Sequence, residues 1–331
     1  MAAISRDLIV SSIGDTSPVT VKAARVSASS VISESGSLSA TIPRAEAEKI
    51  AEPVAGKWVS WPAWDWGGRI EDYRWDAESL EIGCRGFGDL LNDRIVPQSY
   101  QTITVPPGAH LRRLIQAVEE ADGLIGLLGF AIDEDGAPID ITARLESLGL
   151  DVLPGLLDQG HEWVMSANRL LTFRRHIGVD RTASVILDSG PDGHIVGNPS
   201  VSGTIRTLAN DVIGVGGAQR GWSGMQVRET NVSSVSVYGL RQFVKVFNRL
   251  ISRHARRNVR PLVIVALAER SHVVEVPKMA IRDKDDIFAK FGTGDTVKLR
   301  IGSLNRDVSW RVMARSLGDD GVMNLAGYVD E

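Results

Sequence analysis

Residues Ser37-Leu38-Ser39-Ala40-Thr41-Ile42-Pro43 alternate polar and apolar side chains and end at a proline. A period of two residues is typical of a half-buried β-strand, because successive side chains point to opposite faces of the sheet. Shorter alternating runs lie on both sides, at Val19–Ala23 and Leu80–Cys84, and Gly67-Gly68 marks a turn between two further segments. Several short strands at this spacing indicate a β-sandwich or barrel over the first hundred residues.

The composition is that of a folded protein of two or three domains. The chain has 331 residues, of which 43% are hydrophobic and 24% are charged, and these values exclude wholesale disorder.

Cys84 is the single cysteine, so an intrachain disulfide framework and a thiolate-rich zinc site are excluded. We expect no signal peptide, because the N-terminus has no basic segment followed by a long apolar run. We expect no membrane span, because no stretch reaches roughly 18 apolar residues. The net charge of −4 argues against a general nucleic-acid binder.

The character of the sequence changes at Pro106-Pro107-Gly108. Apolar residues at helical spacing predict a helix at Ala109–Ala121, and a mixed, acidic stretch follows before strand-like segments return. We interpret the chain as mainly β with an α/β insert and two long helices. The predicted divisions are a first β domain at 1–105, a helix with an inserted acidic α/β domain at 106–195, and a second β domain at 196–331.

The last third contains the second predicted helix. Its apolar residues, which include Phe243, Val244 and Phe247, have helical spacing from about Leu240 to Arg257, and we expect a basic helix at 240–257. Around this helix the pattern predicts strands, listed in chain order as Val232–Val237, Leu262–Ala268, Thr296–Ile301, and a hairpin of Ser309–Ala314 with Val322–Val329.

Charge is distributed unevenly along the chain. The segment Glu119–Glu162 contains eleven acidic residues and one basic residue, whereas Tyr238–Arg260 contains seven basic residues and no acidic one. Two interpretations stay open: two solvated faces, or complementary contact surfaces between subunits or with a partner. Contact of the basic helix with DNA phosphates is the less favoured alternative. In the contact interpretation the candidate interface residues are Arg249, Arg253, Arg256 and Arg257.

Tryptophan is concentrated in one region, where five of the eight lie between Trp58 and Trp75. Trp64 and Trp66 share a strand face and are candidate interface residues, since large aromatics fill cores and anchor subunit contacts. The alternative is a carbohydrate-binding platform on which sugars stack against Trp58, Trp61, Trp64 and Trp66.

The motifs of catalysis and metal binding are incomplete in this sequence. His161-Glu162 begins a zinc-protease pattern that lacks its second histidine, and Gly221-Trp222-Ser223-Gly224 lacks the closing glycine of a nucleophile elbow. Asp133-Glu134-Asp135-Gly136 begins a calcium loop without its later ligands. Gly214–Gly221 has glycines but no Gly-Lys-Ser/Thr ending for a phosphate.

One further trio of residue types could act in nucleophilic catalysis. Asp188, Ser189 and His194 lie close together in a turn rich in glycine and proline, but closeness in sequence does not establish the geometry of a triad. We therefore predict no catalytic, cofactor-binding or metal-binding residues, no cofactor, and no enzymatic activity.

The order of elements resembles that of the tail hub and baseplate hub proteins of long-tailed bacteriophages. The most similar stretch is Leu80–Pro97, where a strand leads into a turn, a Leu-Leu pair and an arginine before a proline. Weaker similarities are found at Gly68–Asp72, Leu208–Gly217, Tyr238–Gln242 and Gly294–Val297.

The resemblance implies a structural role at the distal tip of a phage tail. It implies a homotrimer in which each chain carries two tube-like β-barrel domains, so that three chains match a sixfold ring. The implied partners are the distal tail protein or tail tube ring, the tape measure protein, and tail fibre or receptor-binding proteins. DNA would meet the protein only in transit through the channel. The implied location is the virion, after assembly in the host cytoplasm.

Overall fold

The computed structural model describes most of the chain. Its described residues are 4–12, 17–97, 105–122, 129–136, 138, 146–157, 160–203, 208–216, 226–247, 255–270, 274–304 and 307–330. Across these ranges the protein is mainly β, with one large sheet, three small sheets and few helices. The predicted mainly β fold class is confirmed.

Seven strands and one short helix form the N-terminal part of the fold. In the strand quoted first, Leu38, Ala40 and Ile42 are buried and the intervening polar residues are exposed or half-buried, which is the burial that the alternation predicts. The elements are β1 (Asp7–Ser11), β2 (Val19–Lys22), β3 (Arg25–Val31), β4 (Ser37–Pro43), α1 (Arg44–Ala47), β5 (Trp58–Trp61), β6 (Trp66–Trp75) and β7 (Ser79–Gly86).

A smaller α/β unit follows. Its elements are α2 (Pro107–Asp122), β8 (Gly129–Ile132), α3 (Leu153–Leu157), β9 (Glu162–Met165) and β10 (Leu170–Arg174). Strand β10 lies between β8, which is parallel to it, and β9, which is antiparallel. The helix predicted at Ala109–Ala121 is confirmed by α2, and Leu111 and Leu114 on its apolar side are fully buried.

The remaining elements complete the large sheet and add a second small α/β unit. They are β11 (Ile186–Asp188), β12 (Ser202–Gly203), β13 (Asp211–Gly216), β14 (Gln226–Thr230), α4 (Val232–Tyr238), β15 (Gln242–Phe247), α5 (Ala255–Arg270), β16 (Val274–Glu275), β17 (Lys278–Arg282), β18 (Thr296–Arg300), β19 (Asp307–Leu317) and β20 (Val322–Val329). The strand at Thr296–Ile301 and the C-terminal hairpin are predicted correctly.

The basic helix predicted at 240–257 is wrong over Gln242–Phe247, which forms strand β15. This segment pairs in parallel with β13 over six residues, and the ladder of hydrogen bonds overrides the helical spacing of its apolar side chains. The helix begins later, at Ala255, and includes Leu262–Ala268, which was predicted to be a strand. The strand predicted at Val232–Val237 is the helix α4, which Asn231 caps through its side chain.

Buried residues form two hydrophobic cores, each drawn from two distant parts of the chain. The first core combines residues of 8–84 with residues of 185–329. The second core combines residues of 91–173 with residues of 209–266. Burial therefore does not follow the three consecutive segments predicted from the sequence, because the strands after residue 273 complete the sheet begun by the N-terminal strands.

The large sheet contains the same arrangement twice. In the first module, residues 24–86, β4 pairs with β7, β7 with β6, and β6 with β5. In the second module, residues 195–203 and 274–329, β17 pairs with β20, β20 with β19, and β19 with β18. All of these pairings are antiparallel, and a short 3₁₀ helix separates the members of the β5–β6 and β18–β19 pairs.

The two modules also agree residue by residue. Each long strand has one irregularity in its register, between Ile70 and Asp72 in β6 and between Val312 and Ala314 in β19. Ile70 exchanges backbone hydrogen bonds with the segment before β5, and Val312 does the same with the segment before β18. A glycine with positive φ donates in each case: Gly56 at 84° and Gly294 at 96°.

One pairing joins the two modules into a single sheet. Beyond its irregularity, β19 leaves β18 and pairs with β3, with Ala314 opposite Val31 and Leu317 opposite Ala28. The backbone amide of Ile32 also donates to the carbonyl of Met313 at 3.0 Å. The first core therefore extends across both modules without a break.

A buried ion pair connects the second module to the α/β unit. Arg311 in β19 donates to both carboxylate oxygens of Glu162 in β9, at 2.7 and 2.6 Å. It also donates to the Tyr328 hydroxyl at 3.1 Å and to the Ile177 carbonyl at 2.9 Å. Burial alone would lower the pKa of Arg311, but the hydrogen bonds to Glu162 and Tyr328 outweigh burial and raise that pKa.

Replacing Arg311 with Met is expected to reduce the free energy of unfolding by about 3–5 kcal/mol, because Glu162 would stay largely buried without its counter-charge. Urea denaturation of the purified chain measures this loss. The matched control is Arg300→Met, which removes a bidentate pair with Asp307 whose arginine is 53% exposed. We expect that variant to lose less than about 1 kcal/mol, and an equal loss in the two variants would contradict the assignment.

Candidate interaction surfaces

The structure places Trp64 and Trp66 in the first core, where they are 3% and 4% exposed. The Trp64 ring stacks on the Trp61 ring, with centroids 6.0 Å apart. The Arg315 guanidinium also contacts the Trp64 ring, at 4.4 Å from its centroid. Neither ring presents a free face to a partner. This burial supports the core interpretation of the two residues and not their assignment to an interface.

The carbohydrate-binding alternative is not supported by the same burial. Trp58 is 6% exposed and Trp61 is 1% exposed, so none of the four rings forms a platform for sugar stacking. Arg169 covers Trp58 at 4.5 Å, and Phe87 packs edge-on against it at 5.5 Å. Trp61, Trp64 and Trp66 belong to the first core, and Trp58 contacts Arg169 of the α/β unit.

Two of the four arginines predicted at the interface lie within the described residues. Arg249 and Arg253 lie outside the described residues. Arg256 and Arg257 fall in the first turn of α5. Their role in contacts with a partner stays a prediction.

The side chains considered for chemistry serve the fold. The Asp188 carboxylate accepts a hydrogen bond from the Gly190 amide at 2.8 Å, and the Ser189 hydroxyl accepts one from the Gly302 amide at 3.2 Å. Burial lowers the pKa of His194. His161 is buried and stacks on Phe173 at 4.9 Å. These contacts account for the residues as parts of turns and of the second core.

The acidic turn at Asp133–Asp135 lies next to basic side chains. Glu134 pairs with Arg112 at 2.6 Å, and Asp133 lies 3.5 Å from Arg174. Asp135 lies 3.6 Å from Arg175 and 3.5 Å from His161. The Gly214–Gly221 loop and the Gly221-Trp222-Ser223-Gly224 motif fall mostly or wholly outside the described residues.

The described ranges contain neither a cluster of metal ligands nor a membrane-spanning helix. Among these residues, no group of three or more His, Cys, Asp or Glu side chains is placed to hold a metal ion. No helix within the same ranges has the length and hydropathy needed to cross a membrane.

One exposed surface is the second half of strand β6. Residues 71–75 are exposed, and two aromatic side chains are among them, Tyr73 at 42% and Trp75 at 39%. Strand β7 pairs with one edge of this segment, and β5 pairs only with Trp66–Arg69. Within the described chain no strand pairs with the other edge of Asp72–Trp75, so its backbone groups and aromatic side chains are available for contact.

A second exposed surface lies on the sheet formed by β14, β13 and β15. Helix α5 covers one face, where Val259 and Val263 approach Gly214 closely. On the other face Val244 and Val246 are 53% and 54% exposed. The nearby apolar residues Val232, Val237, Tyr238 and Leu240 are exposed as well. An exposed apolar area of this kind is typical of a contact surface.

A buried polar network holds this second surface in place. The Asp211 carboxylate accepts hydrogen bonds from Arg228 at 2.7 Å, Thr230 at 2.7 Å and Gln242 at 2.6 Å, and so links β13 to β14 and β15. The neighbouring Asn210 accepts from the Arg241 amide at 2.7 Å. The hydrogen bond from Arg228, followed by those from Gln242 and Thr230, lowers the pKa of Asp211 to about 2.

The fold is that of phage tail proteins. The prophage tail protein gp18 from Listeria monocytogenes EGD-e has a TM-score of 0.68 and 14% sequence identity, with 97% of this chain and 94% of that chain covered. The 43 kDa tail protein of prophage MuSo2 from Shewanella oneidensis has a TM-score of 0.67 and 11% identity, covering 98% of both chains. The tail protein from Neisseria meningitidis MC58 has a TM-score of 0.66 and 12% identity, with 98% and 96% covered.

These likenesses confirm at the level of fold the resemblance to phage tail proteins that the order of elements indicates. No protein-family model matches the sequence. No curated protein matches it either. At this level of identity the likeness establishes the architecture and not the role of single residues.

Replacing Asp211 with Asn is expected to reduce the stability of the protein, and this loss should depend on pH. The carboxyl pKa is about 2 in the folded protein and 3.8 in the reference state, so its contribution is fully present above the higher value. It disappears as the pH falls from 3.8 to about 2. Unfolding free energies of both proteins, measured by urea denaturation across this range, should therefore converge.

The matched control for Asp211→Asn is Thr230→Val, which removes one donor and leaves the carboxylate charged. This variant should lose less stability at neutral pH and keep most of the pH dependence. A difference between Asp211→Asn and the unmodified protein that stays constant down to the lowest pH would contradict the assigned network.

Proposed function

We propose that this protein is the structural hub at the distal end of a phage tail. In this role it forms a trimeric ring that joins the sixfold tail tube or distal tail ring to threefold tip components and gates the channel for DNA ejection. The fold shared with phage tail proteins supports the general assignment.

The observation that carries the proposal is the duplication of the β module within one chain. The first and second modules have the same strand pairing, and the long strand of each has its register irregularity at the equivalent position. Three chains would therefore present six similar modules in a ring. A threefold protein built in this way can meet a sixfold ring with equivalent contacts at every position.

The domain assignment follows from the same observation. We assign the first tube-like domain, predicted at 1–105, to the first module, and the second, predicted within 196–331, to the second module. The α/β insert predicted at 106–195 corresponds in part to the unit of the second core. That core also includes β13 and α5, so the insert is built from two excursions of the chain.

The partners we propose are the other components of the tail tip. They are further copies of the chain, the distal tail protein or tail tube ring, the tape measure protein, and tail fibre or receptor-binding proteins. The exposed apolar residues on β15 and α4 give the second core a surface suited to such contacts. The location is the tail tip of the virion.

The proposed role is structural and not catalytic. The side chains considered for chemistry hold turns and the second core, as their hydrogen bonds and stacking indicate. The formal net charge of −4 is consistent with DNA passing through the ring without stable binding.

The test is the molar mass of the purified protein. Light scattering at micromolar concentration is expected to give three times the chain mass of 35.8 kDa, and negative-stain electron microscopy should show rings with a central opening. A mass equal to that of one chain at this concentration would contradict the hub proposal.

A further inference from the structure

The contact that joins the two modules has an equivalent on the surface of the protein. Within the chain, the last four residues of β19, Ala314–Leu317, pair with Ala28–Val31 of β3. The register of the two long strands places Asp72 of β6 at the position of Ala314 and Trp75 at the position of Leu317. The segment Asp72–Trp75 is therefore the first module's counterpart of a strand edge that is paired in the second module.

The second module also has a counterpart of β3. In the first module the Ala24 amide donates to the Thr41 carbonyl ahead of the β3–β4 pairing, and in the second the Val196 amide donates to the Ala280 carbonyl. The same alignment matches Ser202 with Ser30, and Ser202 pairs with Glu275 as this match requires. Val196 therefore bonds to β17, and Ser202 and Gly203 pair with β16, at positions equivalent to those at which β3 meets β4.

Both counterpart edges lack a strand partner in the described part of the chain. Beyond the register irregularity, β6 is paired only through β7. Ser202 and Gly203 pair with Glu275 and Val274 of β16 on one side, and no described strand pairs with residues 200–203 on the other side. The exposed Tyr73 and Trp75 lie on the first of these edges. Unpaired edges invite pairing with another chain, and each of these two edges is open to a strand of a second copy.

We propose that Asp72–Trp75 of one copy pairs antiparallel with Ser200–Gly203 of a second copy. Transferring the β19–β3 register gives Asp72 opposite Gly203, Tyr73 opposite Ser202, Arg74 opposite Val201, and Trp75 opposite Ser200. Pro199, which has no N–H to donate, stands just before this stretch. The proposal rests on the proposed hub function and names the surface through which its subunits meet.

The geometry of this contact leads to a ring and not to an isolated dimer. The two edges belong to different modules, so each copy uses one edge to bind the copy before it and the other to bind the copy after it. Such a head-to-tail contact closes into a ring when the rotation between copies divides a full turn. Because it repeats the contact between the modules of one chain, every junction around the ring would be of the same kind.

The test is disulfide cross-linking of the full chain with paired cysteines. Arg74→Cys combined with Val201→Cys, and Trp75→Cys combined with Ser200→Cys, place cysteines directly opposite each other across the proposed contact. One of the two pairs occupies a non-hydrogen-bonded position of the ladder, where the side chains are closest and a disulfide forms most readily. After mild oxidation, at least one pair is expected to give covalent dimers and trimers on a non-reducing gel.

The controls test whether cross-linking requires the proposed strand register or only closeness of the two segments. Each single-cysteine variant, and the displaced pair Arg74→Cys with Asn198→Cys, should remain uncross-linked. The native Cys84 is buried, and the unmodified protein reports any contribution from it. Equal cross-linking of the displaced pair and the matched pairs would overturn the proposed register.

Light scattering on the same samples before oxidation distinguishes failure of the edge pairing from failure of the hub function. Trimers in which neither matched pair forms a disulfide would overturn the edge pairing and leave the hub function in place. A monomer without cross-links would overturn the hub function itself. Trimers that are locked by a matched pair and released by reductant would support both.

Discussion

The pairing of β19 with β3 is the contact on which the large sheet depends. Each module alone would leave the end of a long strand with unpaired backbone groups, which is costly in a buried position and favours association in an exposed one. Within the chain, Ala314–Leu317 solves this for the second module by pairing with the first. The first core is consequently one cluster across both modules. The large sheet thus contains a duplicated β module. The first module supplies, through β3, the strand partner that the long strand of the second module needs.

The second core is attached to this sheet by polar contacts as well as by packing. Arg311 extends from the interior of β19 to Glu162, and Glu162 also accepts the Ile177 amide at 2.8 Å. The backbone beyond Ile177 then passes so close to Gly294 that a side chain on Gly178 would collide with it. A buried pair of this kind contributes less to net stability than to fixing one orientation. Here it fixes the α/β unit relative to the second module, at the point where the chain returns to the large sheet.

The strands of the large sheet could be predicted from the sequence, because their two-residue alternation is set by burial of one face. The segment quoted first and the C-terminal hairpin are of this kind, and the helix α2 is predictable in the same way from its own spacing, since its apolar side is buried. The helix predicted over residues 240–257 is wrong over Gln242–Phe247, because Phe243, Val244 and Phe247 fit a helix and a strand equally well. What decides between the two is the neighbour: β13 offers a full parallel ladder, and Asp211 binds Gln242 at its first residue. That neighbour lies about thirty residues earlier, outside any local pattern.

The residue types in the sequence do not identify the interaction surfaces, for a related reason. The sequence drew attention to tryptophan and arginine, but aromatic residues are used in cores and in contacts alike, and Trp64 and Trp66 fill the core. Tyr73 and Trp75 lie on the same strand as Trp66, but they follow the register irregularity of β6 and are exposed. The duplication that gives them meaning is not visible as a sequence repeat, since Asp72-Tyr73-Arg74-Trp75 is matched with Ala314-Arg315-Ser316-Leu317. The two modules share the register of their backbone hydrogen bonds. Register depends on how two strands pair, so the identity of single residues does not reveal it.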